Sequence, residues 1–236
     1  MTGALHILPD AAAGLKQEAL LFAAPEPGVL LWTSTSTTIV CPEAYRRRRG
    51  FEAAAARSSA RGWPVVLRRT GGGAVPQYRG CVNLAMSFTI AADFTIEQGY
   101  RFLTQAIRDC VNHENLSLET GATSGSFCDG TWNLSVSGRK IVGTAQRWRS
   151  LGDGKVRILA HALILAQGRV EPGADAVAAF HHDLGLAPIL AHAHTSLERE
   201  AGWGRSDLKA FPVRLETAAR RAIAILGKSP DVQAVA

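Results

Sequence analysis

Residues 65–88 read VVLRRTGGGAVPQYRGCVNLAMSF, and the three glycines at their centre decide how the chain is to be folded on paper. Gly-Gly-Gly gives up the most backbone entropy on folding, so a chain places it where it must turn at positive φ or lie close against something. The apolar run ending at Leu67 predicts a short buried strand, and the run from Cys81 predicts a second. The arrangement is strand, glycine loop, strand. A bound anion would be cradled by the loop's own N–H groups, with Arg68 or Arg69 closing the site. Alternation sends those two arginines to opposite faces, so only one can serve the loop.

Nucleotide motifs do not fit this stretch. G-x-x-x-x-G-K-[ST] is absent, and the glycines fail G-x-G-x-x-G because a strand, not a helix, is expected to follow. Working outward, GLKQEALLFAA (14–24) reads as an amphipathic helix with Leu15, Ala19 and Phe22 on one face and Lys16 and Glu18 turned away. GVLLWTSTSTTIVC (28–41) reads as one or two strands, and the stretch from Arg46 to Gly62 as helical. TIEQGYRFLTQAIRDCVNHE (95–114) places Ile96, Tyr100, Leu103 and Ile107 on one helical face. NLSVSGRKIVGTAQRWR (133–149) predicts a β-hairpin turning at Ser137 and Gly138, followed by a strand from Lys155. The remainder is mostly helical, with the last few residues expected to fray. A mixed β-sheet with packed helices, an α+β fold, is the expected class.

Length and composition bound the function. A chain of 236 residues, 47% hydrophobic, can bury an adequate core as one large domain or two small ones. No apolar run reaches bilayer length, and the first residues lack a secretory pattern, so a cytoplasmic location without membrane attachment is expected. Cys41, Cys81, Cys110 and Cys128 form no C-x-x-C pair, which argues against a zinc ribbon or redox dithiol. The net charge of +6 favours an anionic partner. The run Arg46–Arg49 has no interleaved aromatics, so a solvated face or acidic-protein contact is expected there, not nucleic acid.

Two side chains outside the glycine loop invite chemistry. Lys140 could put a point charge on a phosphate or carbonyl oxygen, although an exposed hairpin lysine is the plainer reading of its position alone. Cys128 lies twelve positions earlier, and a thiol near a lysine can act as a nucleophile; a packed cysteine is the plainer alternative. Ser137 and Lys140 form a formal S-x-x-K, but that motif needs a helix and here falls on a turn. His181, His182, His192 and His194 lack H-E-x-x-H spacing, so no metal site is expected; G-x-S-x-G is missing as well.

Taken together, residues 65–88, FCDGTWNLSVSGRKIVGTAQRW (127–148), HALILA (161–166) and the early helix resemble the lipoate–protein ligase and octanoyltransferase family, which shares its catalytic fold with biotin–protein ligases. HTSLERE (194–200) resembles a segment that closes the catalytic domain. The resemblance is strongest over residues 15–220 and implies a single catalytic domain over 1–236, with no large carboxy-terminal accessory domain. It implies that Gly71, Gly72, Gly73 and Ala74 line the acyl and acyl-adenylate site, with Arg69 as anion contact and Lys140 as the electrophilic clamp. Asn83, Gly143, Thr144, Ala145 and His161 would complete the substrate and nucleotide site. The activity implied is ATP-dependent ligation: lipoate or octanoate becomes acyl-AMP, with Mg²⁺ screening the phosphates, and passes to a lysine of a carrier domain. That partner would be the acidic lipoyl domain of a 2-oxoacid dehydrogenase or a glycine cleavage H-type protein, reached by charge steering. An accessory subunit would supply what a missing second domain does not. No tightly bound cofactor is expected. The alternative is an octanoyltransferase drawing on acyl carrier protein through a Cys128 thioester, and a further one is a non-catalytic acyl- or carrier-binding relative.

Overall fold

Turn chemistry at Ser137 and Gly138 joins a three-residue strand, Leu134–Val136, to the 14-residue strand Arg139–Gly152. Both residues have positive φ, 50° and 70°, which gives the two-residue turn whose twist matches antiparallel strands. The computed structural model describes residues 5–111 and 116–226. In chain order the elements are β1 (Leu5–Leu8), α1 (Ala11–Ala23), β2 (Gly28–Ser34), β3 (Thr38–Pro42), α2 (Phe51–Ala60), β4 (Val65–Arg68), β5 (Val75–Gln77) and β6 (Cys81–Ala91). They continue with α3 (Ile96–Val111), β7 (Glu119–Thr120), β8 (Leu134–Val136), β9 (Arg139–Gly152), β10 (Lys155–Leu165), α4 (Glu171–Asp183), α5 (Leu197–Ala201) and α6 (Arg205–Leu226).

A seven-stranded sheet runs β1-β2-β6-β10-β9-β8-β7, with β1 and β2 parallel and the other neighbours antiparallel. Its helices pack on the faces, so the α+β expectation holds. A second, three-stranded sheet β4-β3-β5 was not foreseen as a separate unit. The segment read as one or two strands is two, and they belong to different sheets. After the glycines comes the three-residue β5, then a turn, and only then β6.

Leu84, Met86, Leu103, Ile107, Ile158, Phe211 and Leu215 form the core between the large sheet and α3 with α6. Trp32, Ile39, Val40, Phe127, Leu163 and Phe180 form a second core that joins the two sheets. α1 starts at Asp10, whose carboxylate accepts the Ala13 N–H at 2.8 Å. At its other end, fully buried Arg157 donates to the carbonyls of Leu21, Phe22, Pro25 and Glu26, satisfying acceptors that a helix end leaves free.

Two helix faces differ from expectation. α1 buries Ala11, Gly14, Glu18 and Phe22 while Ala19 is exposed, because Glu18 finds hydrogen-bond donors inside the protein. α3 buries Leu103 and Ile107 as expected, but Ile96, in its first turn, stands 61% exposed. The expected fraying of the last residues lies outside the described residues, as do His113 and Glu114. Among the described residues, no helix is long and apolar enough to cross a membrane.

Candidate active site

The loop 121–133, which precedes the hairpin β8–β9, lies against the glycine loop, and Cys128 is the point of contact. Cys128 has φ 48°, a left-handed conformation costing a non-glycine residue about 1–2 kcal/mol. Three bonds hold it there. Its carbonyl accepts Lys140 Nζ at 2.8 Å and Asn133 Nδ2 at 2.9 Å, and its Sγ accepts the Gly73 N–H at 3.0 Å. The glycines are required by contact: a Cβ on Gly73 would lie 2.9 Å from Cys128 Cα, and one on Gly72 2.8 Å from Sγ. Gly72 also has φ 96°.

Lys140, read alone as a plausible surface lysine, is fully buried. Its ammonium also donates to Phe127 O at 2.6 Å and lies 5.1 Å from the Phe127 ring centroid. Burial brings its pKa down from 10.5 to about 8; Cys128 and Asp129 work against that shift, and Arg68 reinforces it. For Cys128, burial pushes the thiol up, but Lys140, Arg68 and the Gly73 N–H outweigh it. The net is a thiol below its ordinary value of 9.0.

The arginine that reaches the loop is Arg68. The residue is 6% exposed, and its guanidinium donates to the carbonyls of Val40, Gly71 and Gly73, with Nη2 4.0 Å from Cys128 Sγ. Arg69, expected as the anion contact, turns the other way. Its side chain is 71% exposed and sits 3.6 Å from Glu43. Alternation along β4 required this split, but only the fold says which face the loop takes.

Two cavities meet at Cys128. The inner slot, about 430 Å³ with its open mouth included, is lined by Leu15, Trp32, Val40, Val75 and Leu163 together with Asn83, Gly143, Thr144, Ala145 and His161. Its polar walls are paired among themselves. Glu18 accepts the Trp32 indole N–H at 2.9 Å and faces His161 Nδ1 at 3.2 Å; His161 Nε2 lies 3.1 Å from Thr70 Oγ1. Gln77 and Asn83 exchange two hydrogen bonds, at 2.6 and 3.0 Å. The outer chamber, about 580 Å³ on the same measure, is lined by Gly71, Gly72, Cys128, Asp129, Thr144 and Ala145 and walled by Tyr100 and Trp132. Ala74 is buried behind the loop, its N–H donating to the Tyr45 hydroxyl at 3.2 Å.

Glu18, Trp32, Gln77, Asp129 and Asn133 belong to this constellation and were not singled out as site residues from sequence; Arg68 was, as the alternative to Arg69. His194 is a further member. It stacks on Phe127 at 4.1 Å, and its Nε2 accepts the Phe127 N–H at 3.0 Å. Burial, and next the charge of Lys140, bring its pKa from 6.5 to about 4, so it is a neutral acceptor. Among the described residues, no three His, Cys, Asp or Glu side chains converge as around a metal ion.

A family model described as "Lipoyl protein ligase A/B catalytic domain" matches residues 13–210. An uncharacterized protein of Cupriavidus necator is 35% identical over 171 residues, covering 67% of this chain and 63% of its own length. The octanoyl-[GcvH]:protein N-octanoyltransferase of Kyrpidia tusciae is 33% identical over 63% of this chain and 54% of its own. The chain thus spans less than two thirds of the length of these relatives. Among solved structures, a T. acidophilum protein with bound lipoic acid superposes with a TM-score of 0.65 at 13% identity, covering 94% of this chain and 93% of that one. A lipoate-protein ligase A bound with ATP gives 0.64 at 14% identity, over 97% and 96%. At these identities the likeness is one of fold.

Proposed function

The chain belongs to the lipoyl protein ligase A/B catalytic-domain family, and we propose that it serves there as a cysteine-dependent acyltransferase. It takes a medium-length acyl group, octanoyl or lipoyl, from a carrier thioester and delivers it to a lysine of an acidic lipoyl-carrier domain. The observation that carries this reading is the seat of Cys128: a thiol between two cavities, with the Gly73 N–H on its sulfur and two buried cations, Lys140 and Arg68, beside it.

The inner slot suits the alkyl chain. Glu18, Gln77, Asn83 and His161 spend their hydrogen bonds on the wall, leaving Arg68 Nε as a buried polar atom there without a partner, and each buried CH₂ of the chain contributes about 0.8 kcal/mol. The Cys128 thiolate attacks the donor's carbonyl carbon; a new C–S bond forms, the donor's C–S bond breaks, and the donor thiolate takes up the proton the enzyme thiol gave up. Lys140 and Arg68 supply the positive field in which thiolate and developing oxyanion are stabilised. The acyl group then passes from Cys128 to the acceptor amine. A groove beside the slot, where Lys16, Arg68, Arg69 and Arg147 outnumber Glu18 and Glu43, presents net positive charge to an acidic partner. The ligase reading, with ATP and Mg²⁺ forming an acyl-adenylate, demands a different outcome in the same assay.

That assay mixes the purified chain with an apo lipoyl domain and compares octanoyl carrier protein against ATP plus lipoate by intact mass. Octanoyl transfer without ATP is expected, with an octanoyl adduct on the enzyme that Cys128→Ser removes. A Cys128→Ser protein that modifies the lipoyl domain fully when given ATP and lipoate would sink the transferase reading.

A further inference from the structure

Resting on the Cys128 thioester reading, we infer that the outer chamber is the binding site of the acceptor lysine side chain, with Trp132 and Tyr100 guiding its alkyl stem and Asp129 holding its ammonium beside the acyl carbon. Three observations carry this. First, Cys128 opens on the outer chamber as well as on the inner slot, so an acyl group lodged in the slot leaves its carbonyl accessible from the far side.

Second, the chamber has an apolar wall shaped for a narrow chain. Tyr100 and Trp132 stack in parallel, with centroids 5.8 Å apart and planes 2° apart, and both line the cavity. The surface that this stacked pair turns to the cavity is apolar and accepts methylenes. Arg101 lies over Trp132 at 5.7 Å, but its charge is matched by Glu97 at 2.7 Å, so it does not repel an incoming ammonium outright.

Third, the carboxylate is adjacent to the nucleophile in sequence and lines the same cavity. Asp129 Oδ1 accepts the Thr123 N–H at 2.7 Å, which fixes the carboxylate and leaves Oδ2 for a ligand. The contrast with the inner slot matters here. There Glu18 is locked between Trp32 and His161, whereas Asp129 is exposed to the chamber. A carboxylate placed to meet solvent at the reactive thiol fits a cationic visitor.

The step balances simply. The ammonium held at Asp129 loses one proton to water in the open chamber, and the neutral amine's lone pair forms the C–N bond. As the C–S bond breaks, its electron pair returns to Cys128 as thiolate, and the nitrogen's second proton leaves to water. The thiolate is stabilised by the same cations that activated it, so it is a good leaving group.

The test uses acyl-enzyme formed to completion with octanoyl-N-acetylcysteamine and freed of donor by gel filtration. n-Butylamine, which carries the four carbons and ammonium of a lysine side chain, is then added, and the partition of the octanoyl group between butylamide and free acid is measured. Wild type is expected to saturate with butylamine. Asp129→Asn, which keeps the acceptor for the Thr123 N–H, should lower the amide-to-acid ratio about tenfold, the scale of losing a charge-assisted contact. Asp129→Glu should recover part of it, and Trp132→Ala should raise the amine concentration needed for half-saturation. A wild-type rate linear in butylamine, or an Asp129→Asn ratio within twofold of wild type, overturns the inference while leaving the thioester in place. Failure to load any octanoyl group on Cys128 would remove both readings together.

Discussion

In the inner slot, Glu18, His161, Gln77 and Asn83 have found their partners within the wall; in the outer chamber, an oxygen of Asp129 is left to meet something else, beside Tyr100 and Trp132 stacked on each other. The two cavities share Cys128, Thr144 and Ala145 and lie on the two sides of one thiol. A wall whose polar groups are paired can only select by shape and apolar contact, while one that keeps a fixed charge selects by complementarity. On the proposed reading, the acyl chain takes one side and the charged acceptor the other.

The largest test acts on what both sides share. Lys140→Met removes the buried charge while keeping an unbranched chain. It should slow Cys128 acylation by at least about a hundredfold, as loss of a preorganised electrostatic contact does. The same variant should move the pH midpoint of Cys128 alkylation by iodoacetamide upward. The sign follows from the thiol: Lys140 favours thiolate, so without it thiolate appears only at higher pH. An unmoved midpoint would leave Lys140 a purely structural residue.

A smaller effect probes the inner wall. Asn83→Leu leaves Gln77 unpaired and should cost about 1–3 kcal/mol in denaturant unfolding. Replacing both residues by leucine should recover much of that loss, because the penalty lies in the orphaned partner. A double variant worse than the sum of the singles would show that the cost lies instead in the Trp32 carbonyl, which Asn83 Nδ2 also reaches at 3.3 Å. The smallest effect is expected at the outer rim. Arg101→Ala breaks an exposed pair with Glu97 and should change stability by less than about 0.5 kcal/mol. A clear drop in acceptor affinity for this variant would mean that the rim, too, recognises the carrier.

Much of this could be read from residues alone, and the gaps have physical causes. The glycine loop and the Ser137–Gly138 turn announce themselves because few residues tolerate positive φ. Cys128 stood out between them and Lys140 just past the turn. Arg68 and Arg69 could not be ranked, since alternation fixes that they diverge but not which side the loop folds over. Glu18 was turned outward because a carboxylate on an amphipathic helix belongs in water unless a donor awaits it; its donors, Trp32 and His161, lie 14 and 143 positions along the chain. Asp129 was passed over as loop polarity, because its neighbours across the chamber come from α3 and β9. The separate sheet β4-β3-β5 was hidden for the same reason: nothing local says that adjacent strands belong to different layers.

Residues 190–195 clasp the nucleophile's loop from the far end of the chain: Leu190 N–H to Gly125 O, His194 to the Phe127 N–H, and Thr195 N–H to Lys140 O. Among the described residues, all ten strands precede that clasp. The hold on the Cys128 loop is thus fastened from outside the sheets, by chain that contributes no strand to either of them.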